Sequence, residues 1–243
     1  MANQPPKVFL DIFIGEKDIH RQQLAAYEAT CNLVQKNSTI YRFETNKPEE
    51  LSEEQREILR EIDSSIKPSD FNPPIPLNAG RIVFSLDPQH GLSKTRNNFI
   101  SLCVGDKGFC KNAPNKKLHY LDCPIHRIVK GFVAQGGDIT RGDGSGGESI
   151  YGGKFNDDKP GLKNPVSLGS LCMANSGKNS NSSQFFIVLT DDPAKLSKMA
   201  GKYVTFGEVE SGWEVLKKLD SEEVVGEGEK PKVGVWIGGC GVL

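Results

Sequence analysis

Residues 125–155, IHRIVKGFVAQGGDITRGDGSGGESIYGGKF, decide between two fold classes. Two short apolar runs are followed by a glycine-rich loop. Three of its glycines have the spacing of a dinucleotide-binding fingerprint: Gly142, Gly144 and Gly147. Such a fingerprint follows a strand and opens a helix in an alternating β/α fold. Here the segment 148–161 contains two adjacent glycines and Pro160, and it is a poor helix start. The sequence therefore predicts a loop, whose glycines serve positive φ angles or close backbone approach, and no nucleotide site.

The rest of the chain has the same short-strand character on both sides of this stretch. Apolar runs separated by glycine-, asparagine- and proline-rich turns occur at 7–15, 81–86, 166–173, 183–189, 203–209 and 233–240. Helical patterns interrupt them at 92–103 and 212–220. Many short strands with turns between them favour a mainly β barrel over repeated βαβ units.

Residues 16–79 differ in character from the rest. A helical face runs through 18–34, and Ser52 with Gln55 three residues later forms a capping-box pattern. Three isoleucines at i, i+4 and i+8 follow it as an apolar stripe: Ile58, Ile62 and Ile66. Four prolines between residues 68 and 76 then favour extended chain. The segment is predicted to be partly helical.

Charge and cysteine content exclude several classes of function. The 30 basic residues nearly balance the 31 acidic ones, so nucleic acid and acidic membranes are not expected partners. No apolar run approaches the roughly 18 residues that span a bilayer, and the first residues lack a secretory pattern, so a cytoplasmic location is expected. The six cysteines form no C-x-x-C pair and are expected to be free thiols.

Polar side chains embedded in apolar runs mark the candidate site. Arg127 stands within the apolar run 125–133, and three amides border such runs: Gln135, Asn175 and Gln184. Two interpretations of Arg127 stay open: a surface arginine lying along an apolar face, or a fixed cation at the rim of an apolar cleft. There is no Ser-His-Asp order, carboxylate pair or H-E-x-x-H motif to indicate hydrolysis.

Residues 125–155 and LCMANSGKNSNSSQFFI (171–187) resemble the central signatures of the cyclophilins, the peptidyl-prolyl cis-trans isomerases. The resemblance continues through GKYVTFGEV (201–209) and GGCGVL (238–243), and covers residues 7–15 and roughly 80–243. It implies an eight-stranded antiparallel β-barrel capped by two helices. Residues 7–243 would form this single domain, with 16–79 inserted between its first and second strands. The insertion is either a surface extension or an element that binds a partner.

The resemblance also implies which residues act. The catalytic arginine of the family falls on Arg127. The residues implied to bind the substrate are Phe132, Val133, Gln135, Gly144, Ala174, Asn175, Ser176, Gln184 and Phe186. The implied activity is isomerisation of X–Pro bonds in polypeptides, assisting protein folding, with no cofactor or metal. The alternative is a module that binds proline-containing peptides with weak catalysis.

Two departures from the family concern the pocket. Tyr203 stands where many members have histidine, and it keeps an aromatic wall with a polar tip. A tryptophan that contributes to cyclosporin binding in many relatives is missing, and Leu196, Lys198 and Met199 are the nearby candidates for its place. Cyclosporin is therefore expected to bind more weakly than to a typical member.

A third departure concerns the cysteines. The extra residues around 107–123 resemble the loop of divergent cyclophilins, in several of which a cysteine pair matching Cys103 and Cys240 is linked to redox control. The alternative is two buried, unreactive thiols, because a disulfide requires Cα atoms within about 7 Å. Four residues with zinc-type ligand atoms have a spacing that fits no common structural site: Cys110, His119, Cys123 and His126.

Overall fold

The structure is a computed structural model that describes residues 5–243. The chain forms two compact units. One consists of residues 15–77, and the other contains the remaining described residues on both sides of that segment.

The larger unit is built on one eight-stranded sheet in which every pair of neighbouring strands is antiparallel. The strands are β1 (Lys7–Ile14), β2 (Asn78–Leu86), β3 (Arg127–Val129), β4 (Val133–Gly136), β5 (Ser170–Met173), β6 (Phe185–Val188), β7 (Thr205–Ser211) and β8 (Val235–Val242). Their order across the sheet is β3-β4-β6-β5-β7-β2-β1-β8. The predicted mainly β fold with eight antiparallel strands is confirmed.

The alternation of side chains along the strands places the core on one face of the sheet. In β1, Val8, Leu10 and Ile12 are wholly buried, and the residues between them are only partly buried. In β5 and β6 every residue is buried. This continuous burial arises because two apolar clusters cover the two faces of these strands. The main core, which contains Leu171 and Ile187, covers one face, and a second cluster, which contains Cys172 and Phe186, covers the other.

Hydrogen bonds also link the two ends of the strand order. The amide of Ile125, just before β3, donates to the carbonyl of Val235 in β8 over 2.9 Å, and the amide of Ile237 donates to Cys123 over 2.9 Å. The sheet is therefore strongly curled. The closed barrel and its two-helix cap stay predictions.

Three α-helices accompany this sheet: α3 (Ser93–Val104), α4 (Pro193–Met199) and α5 (Trp213–Leu219). The predicted helices at 92–103 and 212–220 are α3 and α5. Phe99 of α3 is wholly buried, and its ring contacts those of Tyr120, Phe185 and Phe206 at centroid distances of 5.2 to 5.3 Å. Helix α3 thus supplies the centre of the main core.

The smaller unit contains α1 (Lys17–Tyr41) and α2 (Glu53–Ile62). The predicted capping box is present, because the Ser52 hydroxyl accepts from the Gln55 amide and the Gln55 side chain accepts from the Ser52 amide. The predicted isoleucine stripe is only partly right. Helix α2 ends before Ile66, and it buries Leu59 while Ile62 stays 41% exposed. The apolar core of this unit is Val34, Phe43, Leu51, Leu59 and Phe71.

Among residues 5–243, no helix combines the length and the apolar character that crossing a bilayer requires.

We predict that the sheet does not need residues 15–77. The register pairs Phe13 with Asn78, so the ends of β1 and β2 meet, and a short Asn-Gly turn can join them. A chain in which this turn replaces residues 15–77 is expected to keep the near-ultraviolet circular dichroism of a packed core and to unfold in urea in one cooperative transition. Loss of that signal, or binding of a dye specific for exposed apolar surface, would contradict the prediction.

Candidate functional site

The candidate site is built on the outer face of three short strands. Cross-strand register aligns Arg127 of β3 with Gln135 of β4, and Gln135 with Phe186 of β6. Their sequence neighbours Ile128, Ala134 and Ile187 are wholly buried in the main core. Because successive side chains of a strand point to opposite faces, the aligned row projects away from that core. The sheet therefore sets a cation, an amide and an aromatic ring side by side.

A second apolar cluster, which we call the apolar patch, lies on this outer face. Its buried members are Val133, Cys172, Ala174, Phe186, Val188 and Met199, and its partly buried members are Val129, Phe132, Val166, Leu196 and Tyr203. All seven apolar or aromatic residues predicted to bind the substrate belong to it. The ring of Tyr203 meets that of Phe186 edge to face, with 5.0 Å between centroids and 87° between planes.

Helix α4 supplies Leu196 and Met199 to the apolar patch. Met199 is 2% exposed and Leu196 partly so. Asp192 caps the helix by accepting from the Ala194 amide over 2.8 Å, and Pro193 occupies its first turn. The Lys195 ammonium donates to the Gly131 carbonyl over 2.7 Å, which fixes α4 to the turn between β3 and β4.

A chain of amide hydrogen bonds joins Arg127 to the glycine-rich loop. Arg127 Nη1 donates to Gln135 Oε1 over 3.3 Å, and Gln135 Nε2 donates to Gln184 Oε1 over 2.9 Å. Gln184 Nε2 donates in turn to the carbonyls of Gly144 and Gly146, over 2.9 and 2.7 Å. Three side chains and a loop are thereby held in one network, which includes the predicted residues Arg127, Gln135, Gly144 and Gln184.

The buried carboxylate of Asp138 holds the glycine-rich loop by hydrogen bonds. Its carboxylate accepts from the amides of Arg141, Gly144 and Gly146 over 2.9 to 3.0 Å, and from the Thr140 hydroxyl. Burial acts to raise the pKa of this carboxyl, but the hydrogen bonds outweigh burial and lower it below its usual value.

The glycines of the loop are required by geometry. Gly142, Gly144 and Gly147 have φ angles of 78°, 91° and 105°. A Cβ on Gly144 would lie 2.7 Å from Nε2 of His126. Positive φ and close approach therefore explain the spacing that resembles a nucleotide fingerprint, as the sequence predicted.

Asn175 and Ser176 follow β5 and come directly after Ala174 of the apolar patch. The Asn175 amide donates to the Lys202 carbonyl over 2.9 Å, and its oxygen accepts from the Gly177 amide over 3.1 Å. Ser176 Oγ accepts from the Lys154 ammonium over 2.9 Å. Both side chains lie outside the amide network. Asn175 and Tyr203 instead share an open cavity of about 500 Å³.

Sequence reasoning missed Glu229. Its Oε2 accepts from Nε of Arg127 over 2.7 Å. The hydrogen bond and the charge of Arg127 lower the pKa of the Glu229 carboxyl. The two residues are 102 positions apart, and no local pattern around 227–229 indicates the contact.

Cys103 and Cys240 are free thiols outside the apolar patch. Burial raises the pKa of Cys103 well above its usual value and that of Cys240 to about 12. The Sγ of Cys240 lies 3.5 Å from Nε2 of His119. The thiolate is the reactive form, so both thiols are poor nucleophiles in this state, and their redox role stays a prediction.

Residues 75–242 match the family described as cyclophilin type peptidyl-prolyl cis-trans isomerase/CLD. The match spans well over half of the chain and includes the aligned row, the apolar patch, the amide network and Glu229.

We predict that Asp138→Asn lowers the free energy of unfolding by about 2 kcal/mol at neutral pH, because an amide cannot accept all the donors that the carboxylate accepts. The measurement is urea denaturation. The matched control is Asp143→Asn, since Asp143 is exposed and, among residues 5–243, its carboxylate accepts hydrogen bonds only from Ser145.

The difference in stability between wild type and Asp138→Asn is predicted to depend on pH. Because the folded-state pKa of Asp138 is depressed, its contribution is present above the usual value of 3.8 and is lost as the pH falls through the lowered value. The difference between wild type and Asp138→Asn should therefore shrink below pH 3.8. Equal stabilities at pH 7 would contradict this assignment.

Proposed function

Because the chain belongs to the cyclophilin-type peptidyl-prolyl cis-trans isomerase family, we propose that it catalyses the cis–trans isomerisation of X–Pro bonds in flexible polypeptides and so assists their folding. One observation carries the proposal: the guanidinium of Arg127 lies in register with Gln135 and Phe186, beside the apolar patch.

The reaction is slow without help because the peptide bond has partial double-bond character. Its rotation barrier is about 18–20 kcal/mol. An X–Pro bond populates both isomers, yet it interconverts in tens to hundreds of seconds. A catalyst needs only to stabilise the twisted bond more than either planar form.

Arg127 can supply that differential stabilisation. As the bond twists, resonance is lost, and the proline nitrogen becomes pyramidal and more basic. A donor directed at this nitrogen therefore binds the twisted state more strongly than the planar states. Arginine provides permanently charged donors in a rigid plane. In the part of the chain that the structure describes, Nη2 of Arg127 has no hydrogen-bond partner, so it is the donor we assign to the substrate.

The other site residues are proposed to hold the substrate. The pyrrolidine ring would lie on the apolar patch, against Phe132, Val133 and Phe186, with Ala174, Leu196, Met199 and Tyr203 around them. Five residues outside the apolar patch would bind the peptide backbone on either side of the proline: Gln135, Gly144, Asn175, Ser176 and Gln184. With one side of the bond held, the other side is free to turn. No proton transfer or covalent intermediate is involved.

The proposal extends to the architecture. We propose that the hydrogen bonds between residues 122–125 and β8 close the sheet into a barrel, with α3 and α5 as its two caps. Residues 7–243 would then be one domain in which 16–79 are an insertion between the first and second strands.

The proposed function is tested by Arg127→Ala. Loss of the donor to the twisted bond is expected to lower kcat/KM for an X–Pro peptide by about 10²-fold or more. The kcat/KM of Arg127→Lys should lie between those of wild type and Arg127→Ala, because lysine keeps the charge but lacks the planar guanidinium. Two-dimensional NMR exchange spectroscopy on the peptide measures the rate directly.

The control for this test is Arg21→Ala, since Arg21 is an exposed arginine of α1 and should leave the rate unchanged. Equal rates for wild type and Arg127→Ala would contradict the proposed mechanism. A wild-type protein that binds the peptide without accelerating exchange would instead support the alternative, a proline-peptide binding module.

Cyclosporin inhibition provides a separate prediction. We propose that it is weaker than for a cyclophilin that carries the tryptophan, because α4 offers only the smaller side chains of Leu196 and Met199 to the ligand. The measurement is titration of isomerase activity for both proteins side by side. Leu196→Trp is expected to tighten the inhibition, since Leu196 is only partly buried and leaves room for an indole. Inhibition of the wild type as tight as that of the reference protein would refute the prediction.

A further inference from the structure

The segment between α5 and β8 brings a carboxylate to the proposed catalytic arginine. It contains a 3-10 turn, Glu227–Glu229, whose last residue bonds Arg127 Nε over 2.7 Å. The side chain of Arg127 is 35% exposed and that of Glu229 is 51% exposed. The pair therefore lies at the rim of the outer face, where water and substrate reach it.

The backbone of this turn is held in place by contacts of its own. Val225 and Pro231 form an isolated antiparallel bridge, and the Lys232 amide donates to the Val224 carbonyl over 2.8 Å. A second acidic residue of the segment, Glu222, pairs with Lys130 next to β3. The turn is thus fixed on both sides of Glu229.

The last residue of this turn has a backbone conformation that its residue type disfavours. Glu229 has a φ of 66°, in the left-handed region that favours glycine. Residues that break a local preference occur where the surroundings or a function compensate for it. The bridge between Val225 and Pro231 holds this backbone, and the ion pair with Arg127 adds to it. No other hydrogen bond or ion pair of the Glu229 side chain is found among residues 5–243.

The partners of the guanidinium fix its plane. Glu229 accepts from Nε, and Gln135 accepts from Nη1. Two partners on two different nitrogens leave one orientation of a planar group, and in that orientation Nη2 is the donor without a partner in the described chain. A long, flexible arginine side chain would otherwise sample several rotamers over the apolar patch.

We propose that Glu229 is a positioning residue of the isomerase reaction, which fixes the guanidinium so that Nη2 faces the X–Pro bond. The inference rests on the proposed function, and it deepens the role of Arg127. The carboxylate does not touch the substrate. It contributes by removing the orientational freedom of the donor before the bond begins to twist.

The test compares Glu229→Ala, Glu229→Gly and Glu229→Gln with wild type. The glycine variant suits the positive φ and separates loss of the carboxylate from backbone strain. The matched control is Glu227→Ala, which removes an acidic residue from the same turn. Within the described chain, the side chain of Glu227 makes no hydrogen bond or ion pair. Two readouts are used: kcat and KM for an X–Pro peptide, and the NMR signal of the Arg127 Nε–H group.

We expect kcat to fall about tenfold in the alanine and glycine variants while KM changes less than about twofold, because orientation matters most in the twisted state. Glu229→Gln should keep most of kcat, since its amide oxygen can still accept from Nε. The Nε–H signal should move and broaden in the alanine and glycine variants only. Glu227→Ala should match wild type in both readouts.

The inference is overturned if the alanine and glycine variants keep or exceed the wild-type kcat, or if only KM changes. It is also overturned if the glutamine variant loses as much kcat as the alanine variant. Its failure is distinguishable from failure of the proposed function. If Arg127→Ala loses activity and Glu229→Ala does not, only the positioning role is wrong. If the wild type does not accelerate exchange, the proposed function is wrong, and if wild type and Arg127→Ala accelerate it equally, the role assigned to Arg127 is wrong.

Discussion

The site depends on the alternation of side chains in three short antiparallel strands. Because β3, β4 and β6 pair in register, Arg127, Gln135 and Phe186 share the outer face, while Ile128 and its cross-strand neighbours fill the core. A shift of one residue would bury the cation and expose the core. The core that stabilises the sheet therefore also sets the geometry of the proposed chemistry.

Much of the fold could be predicted from sequence, since its signals are local. Apolar runs between turn residues locate all eight strands, and the capping box at Ser52 locates the start of α2. Helix α4 was missed because its seven residues contain only two large apolar side chains, Leu196 and Met199, too few for a helical periodicity, although Asp192 and Pro193 at its start are an N-terminal signal. The end of α2 was misjudged because the isoleucine spacing continues past the residue where the helix stops.

The site could be predicted less completely, because its contacts join distant segments. The family motifs indicated seven members of the apolar patch and the three side chains of the amide network, but not the bonds from Gln184 to the carbonyls of Gly144 and Gly146. Glu229 gave no signal, since its turn resembles an ordinary polar loop and its partner lies in β3, 102 residues earlier in the chain. An ion pair of this kind is fixed by tertiary packing and leaves no periodic trace in the chain.

The central claim is that Arg127 directs a donor at the proline nitrogen of a substrate held on the apolar patch. A crystal structure of the protein with a bound X–Pro peptide tests this most directly. The account predicts the pyrrolidine ring against Phe132 and Phe186, with a guanidinium nitrogen of Arg127 within about 3.2 Å of the imide group. A peptide bound away from the patch, or a guanidinium turned away from the bound proline, would contradict it.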